Sequence, residues 1–225
     1  MAKQIITIAL AKGRILQQTL PLLKQAGLMP EEDVLTTRKL MLDGPRIGDW
    51  LVRFLIIRAA DVCTYVVQGA ADMGIVGQDI LLESRPNVYA PLDLEIGRCR
   101  LCVAGVESLV REGMPKRGTR IRVATKYDYL TAQYYRRQGL QSEIIHLYGS
   151  MELAPLVGIA DRIVDVVETG ATLQANGLIE ELTLFHISSR LIINPASAVT
   201  RSLMIKPLIA KLREAVHNQR KKRTP

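Results

Sequence analysis

The sequence has no long apolar run, few cysteines and little net charge outside its last 25 residues. Arg53 and Arg58 interrupt the most apolar stretch, so no segment approaches the roughly 18 to 20 apolar residues of a membrane-spanning helix. Lys12 and Arg14 directly follow the short apolar stretch near the N-terminus, without a small-residue cleavage site, which argues against a secretory signal. We therefore expect a cytoplasmic protein that is not bound to a membrane.

The positive charge is concentrated at the C-terminus. The net charge is +8, and residues 201–225 carry eight Lys or Arg against Glu214, which is +7 and leaves about +1 for the other 200 residues. The body of the protein thus lacks the broad basic face that nucleic acid needs. We predict that the basic run Arg220–Arg223 is a solvated, frayed terminus; contact with RNA or another acidic surface is the alternative.

Cysteine and histidine are too few and too scattered for a metal or redox centre. Cys99 and Cys102 have C-x-x-C spacing, but a zinc ribbon needs a second pair and a thioredoxin-type site needs a helix N-terminus. Residues 98–104 are strand-like, so the two thiols are expected on opposite faces, reduced, and buried or half-buried. The three histidines have no ligand spacing: His146, His186 and His217. We therefore predict no protein-held metal and no Cys-His or Ser-His-Asp nucleophile.

Short apolar strands alternate with helical patterns along almost the whole chain, which predicts an α/β protein with largely parallel sheets. One set of elements begins at residue 4 and a second near residue 98. We predict that residues 1–95 and 180–225 form domain I and that residues 96–179 form domain II. A chain that crosses twice between two such lobes leaves a cleft, where ligands usually bind.

The most informative segment lies in domain II, where an apolar strand runs into Glu168-Thr169-Gly170-Ala171-Thr172 and then a helical pattern. We call residues 168–172 the phosphate loop. Gly170 lets the backbone approach an anion, and the hydroxyls of Thr169 and Thr172 add donors to the N–H groups of the helix start. Asp165 and Glu168 suit the neutral hydroxyls of a ribose, so the pattern favours a ribose 5-phosphate.

A structural interpretation of the same residues remains open. Thr169 can cap the helix and Gly170 can ease the turn without any ligand. Asp165, at an alternate position of its strand, can instead serve a structural hydrogen bond.

The segment Glu152–Leu173 resembles the signature of ATP phosphoribosyltransferases. The similarity extends over roughly residues 4–215, through Lys12-Gly13-Arg14, Arg38-Lys39-Leu40, Arg58 with Asp61, Gly74–Gly77 and Gly149-Ser150. The sequence departs from this family at Cys63, where many members have proline, and at Gln78, where a charged residue is common.

The resemblance implies a two-lobed fold like that of periplasmic binding proteins, with ATP and phosphoribosyl pyrophosphate (PRPP) meeting in the cleft. It implies attack of adenine N1 of ATP on C1 of the phosphoribosyl group, with pyrophosphate leaving together with substrate-bound Mg²⁺. The chain resembles the short form of the enzyme, which implies a hetero-oligomer with a regulatory subunit related to histidyl-tRNA synthetase. A two-lobed protein that binds a nucleotide or anion without catalysis is the alternative.

The resemblance also assigns residues to the two substrates. Arg14 and Arg38 are expected to be catalytic, because guanidinium is the best bidentate partner for phosphate. Arg53, within its strand, is expected to be only an ion-pair residue. The PRPP site is expected to comprise Asp165, Glu168, Thr169, Gly170, Ala171 and Thr172. The site for ATP and pyrophosphate is expected to comprise Lys12, Gly13, Arg14, Arg38 and Arg58.

Overall fold

The computed structural model describes residues 4–223 and divides the chain into two compact units, each with its own sheet. Unit 1 takes in the described residues up to Leu81, then Arg85–Gly97, and the chain from Ser188 onward. Unit 2 takes in Leu82–Ser84 and Arg98–Ile187. No helix in residues 4–223 combines the length and the apolar character needed to cross a bilayer.

The elements of the first part of unit 1 follow the chain in this order: β1 (Gln4–Ala11), α1 (Arg14–Gln25), β2 (Met41–Ile47), β3 (Trp50–Ile57), a 3₁₀ turn (Ala59–Asp61), α2 (Val62–Val67), β4 (Met73–Gly77), α3 (Gln78–Ser84) and β5 (Tyr89–Asp93). Those of unit 2 are β6 (Cys99–Val106), α4 (Glu107–Arg111), β7 (Arg120–Thr125), α5 (Asp128–Gln138), β8 (Gln141–His146), α6 (Leu153–Leu156), β9 (Arg162–Val167), α7 (Ala171–Ala175) and β10 (Leu178–Ile187). The chain then completes unit 1 with β11 (Ser189–Ile193), α8 (Pro195–Thr200) and α9 (Ser202–Arg223).

The sheet of unit 1 has the order β2-β3-β1-β4-β11-β5, and its inner strand β1 is buried on both faces. Its strand β1 alternates between them: Ile6, Ile8 and Leu10 pack in one core cluster with α1 and α9, whereas Ala9 and Ala11 pack in another with α2. Burial on both faces explains why the strand reads as an almost continuous apolar run.

The sheet of unit 2 has the order β10-β6-β9-β7-β8, and its strand β6 also serves two faces. Leu101 and Val103 pack with Tyr135 of α5, whereas Cys102 packs with Leu173 of α7. Cys99 joins the former cluster, so the two thiols of the C-x-x-C spacing lie on opposite faces and do not converge, which confirms that part of the prediction.

The prediction of largely parallel sheets is wrong, because both sheets are mixed. Strand β1 runs parallel to β3 and β4, and β7 runs parallel to β8 and β9. The other neighbouring pairs, β2-β3, β4-β11, β11-β5, β10-β6 and β6-β9, are antiparallel. Two of the antiparallel edge strands, β2 and β5, contain a proline and were not apparent in the sequence pattern.

Residues 178–187 belong to unit 2 in the structure, because β10 pairs along β6 from Leu178 to Ile187. The predicted return to domain I lies at residue 180, whereas unit 1 resumes at Ser188. A buried carboxylate, Asp72, fastens the returning chain: it accepts hydrogen bonds from Thr7 N (2.8 Å), Ser197 Oγ (2.7 Å) and Arg201 Nη1 (2.6 Å).

The C-terminal region of unit 1 contains two successive helices, α8 and α9. Asn194 caps α8 by accepting from Ser197 N at 3.0 Å, and α9 then runs through Pro207 to Arg223. The prediction of a frayed terminus is therefore wrong for residues 218–223, although the side chains of Arg220, Lys221 and Lys222 are exposed.

Candidate functional site

The phosphate loop joins strand β9 to helix α7, as the sequence pattern predicts. Gly170 has φ 86°, in the left-handed region that glycine enters without strain, and the helix begins at the next residue. Thr169 Oγ1 accepts a hydrogen bond from Ala171 N at 3.3 Å, which is the kind of contact that the capping interpretation of Thr169 expects. The side chains of Glu168, Thr169 and Thr172 are exposed. The loop thus presents its hydroxyls to solvent, whereas the first N–H group of α7, that of Ala171, already donates to Thr169.

Asp165 lies in β9, and its side chain is 23% exposed. Its Oδ1 accepts from Val166 N at 2.8 Å and lies 3.6 Å from Lys126 Nζ. Burial raises the pKa of Asp165, and the Lys126 ammonium opposes that shift. Asp165 therefore has the structural contacts that the alternative interpretation expects, and its role toward a ribose stays a prediction.

A guanidinium that the sequence analysis did not single out reaches the phosphate loop. Arg100 Nη1 donates to the backbone oxygen of Glu168 at 2.9 Å. Its Nε and Nη2 donate to Glu180 Oε2 at 2.9 and 2.7 Å. This pairing with Arg100 lowers the pKa of Glu180 to about 2. No sequence signal marks the group, since its members are separated by 68 and 80 positions.

Cys102 also belongs to the group formed by Arg100 and Glu180, but its thiol is unreactive. Its thiol donates to Glu180 Oε1 at 3.1 Å. Burial, followed by the hydrogen bond to Glu180, raises the pKa of Cys102 to about 12. The thiol therefore stays protonated at neutral pH and is not a nucleophile.

A second candidate site lies in unit 1, where β1 leads into α1. A cavity of about 420 Å³ opens there, and its polar lining comprises Lys12, Gly13, Gln17, Thr37, Arg38 and Lys39. Lys12 N donates to Ile57 O at 2.8 Å, which extends the pairing of β1 and β3 to the edge of the cavity. Gly13 has φ 91° and no atom within 4 Å of the position of a Cβ, so its backbone is open to a ligand. The cavity combines free space for an anion with three cations, of which Lys39 is already paired with Glu32.

The cations predicted for this site are not all in the cavity. Arg14 begins α1 and Arg58 follows β3; both are exposed, and neither is among the lining residues. Within residues 4–223, Lys12, Arg38 and Arg58 form no salt bridge, which leaves them available to a polyanion. Arg53 pairs with Asp43 at 2.8 Å, as the ion-pair interpretation expects.

Comparison with known proteins shows where the chain belongs. The family model described as "HisG: ATP phosphoribosyltransferase" matches residues 58–214. The chain belongs to the ATP phosphoribosyltransferase family. The ATP phosphoribosyltransferase of Alcanivorax borkumensis is 50% identical over 96% of this chain and 97% of that relative. The corresponding protein of Chromohalobacter salexigens is 49% identical, covering 98% of each chain.

Two solved structures resemble this chain: one contains a member of the same family, and the other shares only the fold. An ATP phosphoribosyltransferase (HisG:HisZ) complex from Thermotoga maritima contains a chain with a TM-score of 0.78 and 31% identity, covering 95% of this chain and 99% of that one. The periplasmic aliphatic sulphonate binding protein SsuA from Escherichia coli gives a TM-score of 0.59 at 15% identity, covering 98% of this chain and 75% of that one. The latter likeness concerns the fold alone, and it confirms the predicted fold class.

The two departures from the ATP phosphoribosyltransferase pattern lie in unit 1, apart from the phosphate loop in unit 2. Cys63 is buried in α2, 5% exposed, and packs in the core cluster on the second face of the sheet. Gln78 begins α3, and its Oε1 accepts from Arg190 Nη2 at 3.1 Å. Neither position alters the phosphate loop or the basic cavity.

Proposed function

We propose that this ATP phosphoribosyltransferase joins PRPP to N1 of the adenine of ATP, the first step of histidine biosynthesis, using the phosphate loop and the basic cavity. Family membership, at about half identity over nearly the full length of the relatives, carries the proposal. The chain is accordingly a pentosyltransferase. The non-catalytic alternative has less support, because the likeness to a sulphonate-binding protein reaches only 15% identity.

The phosphate loop is the proposed PRPP site. The left-handed Gly170 and the exposed start of α7 suit close approach of a 5-phosphate, and the exposed Thr169 and Thr172 supply hydroxyl donors. Glu168 and Asp165 precede the loop and are assigned to the ribose hydroxyls. The proposed PRPP set is thus Asp165, Glu168, Thr169, Gly170, Ala171 and Thr172.

The basic cavity is the proposed site for the phosphates of ATP and for the departing pyrophosphate. Lys12, Gly13 and Arg38 line it, which supports their assignment, whereas Arg14 and Arg58 are assigned from the family resemblance. In the reaction, adenine N1 forms a bond to C1 as the bond from C1 to the pyrophosphate oxygen breaks. Because C1 gains oxocarbenium character and negative charge collects on the leaving group, fixed cations at Arg14 and Arg38 lower the barrier. No protein nucleophile is required.

Magnesium is assigned to the substrates rather than to the protein. Within residues 4–223, no three His, Cys, Asp or Glu side chains converge in a way that would hold a metal ion. A cage made by the protein alone does not fit these residues, and Mg²⁺ favours phosphate oxygens and water. We therefore assign the ion to PRPP and ATP and derive no step through it.

The assembly and location follow from the family. The Thermotoga maritima chain occurs in a HisG:HisZ complex. We assign to this chain a similar hetero-oligomer with a regulatory subunit related to histidyl-tRNA synthetase, through which histidine would inhibit. The cytoplasm is the proposed compartment, since both substrates are cytoplasmic metabolites.

The proposal is tested by turnover of ATP and PRPP, followed by the absorbance of phosphoribosyl-ATP, with and without the partner subunit. Thr169→Val and Arg14→Ala are expected to lower turnover by orders of magnitude. Thr200→Val and Arg53→Ala are the matched controls, because Thr200 only bonds a carbonyl of its own helix and Arg53 pairs with Asp43. Unchanged rates in both site variants would reject the assignment of residues.

A further inference from the structure

The register of the unit 2 sheet brings Arg100 beside the phosphate loop. Strand β6 lies inside the sheet and pairs with β10 on one side and with β9 on the other. In this register Arg100 lies opposite Val167, the last residue of β9, after which the loop begins. The position of Arg100 is therefore a direct consequence of strand pairing, although the two residues are 67 positions apart in the sequence.

Glu180 orients the guanidinium of Arg100. The carboxylate accepts from Nε and Nη2 of Arg100, and also from Thr183 Oγ1 at 2.6 Å and Cys102 Sγ at 3.1 Å. The side chains of Arg100 and Glu180 are 28% and 26% exposed, so water screens this pair only in part. A carboxylate with donors on both oxygens is held in one orientation, and the planar guanidinium takes its orientation from it.

The remaining nitrogen, Nη1, is directed at the loop. It donates to the backbone oxygen of Glu168 at 2.9 Å, and Nη2 lies 3.9 Å from where a Cβ on Gly170 would be. The Glu168 carbonyl and the Thr169 N–H belong to one planar trans peptide, so fixing the carbonyl directs that N–H to the opposite side. Arg100 therefore controls the direction of an N–H group within the proposed PRPP site.

We propose that Arg100, oriented by Glu180, is a positioning residue for PRPP: it fixes the peptide between Glu168 and Thr169 so that the loop is ordered before the sugar phosphate binds. The inference rests on the proposed PRPP site and deepens it. Each of its three nitrogens donates to Glu180 or to the Glu168 carbonyl, so the contacts of Arg100 are with groups that shape the loop, and its role is assigned to the loop rather than to the reacting atoms. Lysine cannot replace it, because one ammonium lacks the planar fork that serves both partners.

Unit 2 contains a matched arginine at the other end of β9. Arg122 pairs with Asp161 (Nη2 to Oδ1, 2.7 Å) and donates from Nη1 to the backbone oxygen of Gly158 at 2.8 Å. Like Arg100, Arg122 contacts one carboxylate and one backbone carbonyl. Its partners Gly158 and Asp161 precede β9, whereas the phosphate loop follows β9. Arg122 therefore serves as the control for a purely structural role.

The experiment compares R100Q with R122Q in the full chain with its partner, by steady-state kinetics and by calorimetry of PRPP binding. Both variants should lower the melting temperature. Only R100Q should raise KM and Kd for PRPP, by about tenfold, while KM for ATP changes less than about twofold. Equal PRPP affinities in R100Q and R122Q would overturn the inference.

A third variant separates geometry from charge and covers the case in which R100Q does not fold. R100K keeps a cation beside Glu180, so it should retain stability but not PRPP affinity. Normal PRPP binding by R100K would overturn the positioning role, because charge alone would then suffice. A wild-type chain that binds PRPP without turnover would instead count against the proposed function, and calorimetry would still decide the role of Arg100.

Discussion

Replacing Gly170 by alanine tests whether the phosphate loop needs a left-handed backbone at this position, because the added methyl group itself meets no clash. A Cβ at this position would lie 3.9 Å from both Arg100 Nη2 and Val167 Cγ1, which is ordinary contact distance. The cost of the G170A substitution therefore comes from the φ of 86°, and left-handed backbone costs a non-glycine residue about 1 to 2 kcal/mol. For a chain of this size, that predicts a fall in melting temperature of about 2 to 8 °C.

Gly177, on the other side of α7, provides a control for the same strain. It has φ 69° and no atom within 4 Å of the Cβ position, so G177A should lose similar stability. G170A can relieve its strain by moving the loop, and up to the same 1 to 2 kcal/mol is then lost from the free energy of PRPP binding. This loss raises KM for PRPP by a factor of about 5 to 30. KM for PRPP should stay within about twofold in G177A. Equal changes of KM in the two variants, or none in G170A, would refute the assignment of the loop.

Three further outcomes are expected. D72A should lose about 3 kcal/mol of unfolding free energy in urea, because it leaves the Arg201 guanidinium without its carboxylate; a loss below about 1 kcal/mol would contradict this. The pKa of Glu180 is lowered from 4.5 to about 2, so the stabilisation that its carboxylate provides is fully present above pH 4.5 and is lost as the pH falls from 4.5 to about 2. The advantage of the wild type over E180Q in urea unfolding should shrink over the same window, and a constant difference would argue against the ion pair. Deletion of residues 218–225 should leave turnover unchanged; a large loss would mean that the basic C-terminus acts in catalysis.

Local sequence patterns were sufficient to predict the elements that form the two proposed sites. The apolar run of β1 followed by Lys12-Gly13, and the strand, glycine turn and helix around Gly170, are all visible within about ten residues of sequence. The opposite orientations of Cys99 and Cys102 follow from strand alternation alone. Such features depend on neighbours in the chain, so their physics is contained in short segments.

Pairing between strands that lie far apart in the sequence was harder to predict. Strands β2 and β5 contain proline and lie at sheet edges, where neither pattern nor propensity is strong. Nothing in the local pattern indicates that β10 pairs with β6, so residues 180–187 were expected in the other unit. Alternation of apolar residues specifies which face of a strand is buried, but not which strand lies beside it.

The sequence by itself determined the family of this protein, the strand-turn-helix form of its phosphate loop and the chemical types of the side chains around it. The tertiary structure alone decided that Lys12 and Arg38 share a cavity that Arg14 and Arg58 do not line, and that Arg100 holds the Glu168 carbonyl. These contacts join residues far apart in the chain, and their partners are set by strand order and register. That order emerges from the packing of the whole unit, which no short segment of the sequence encodes.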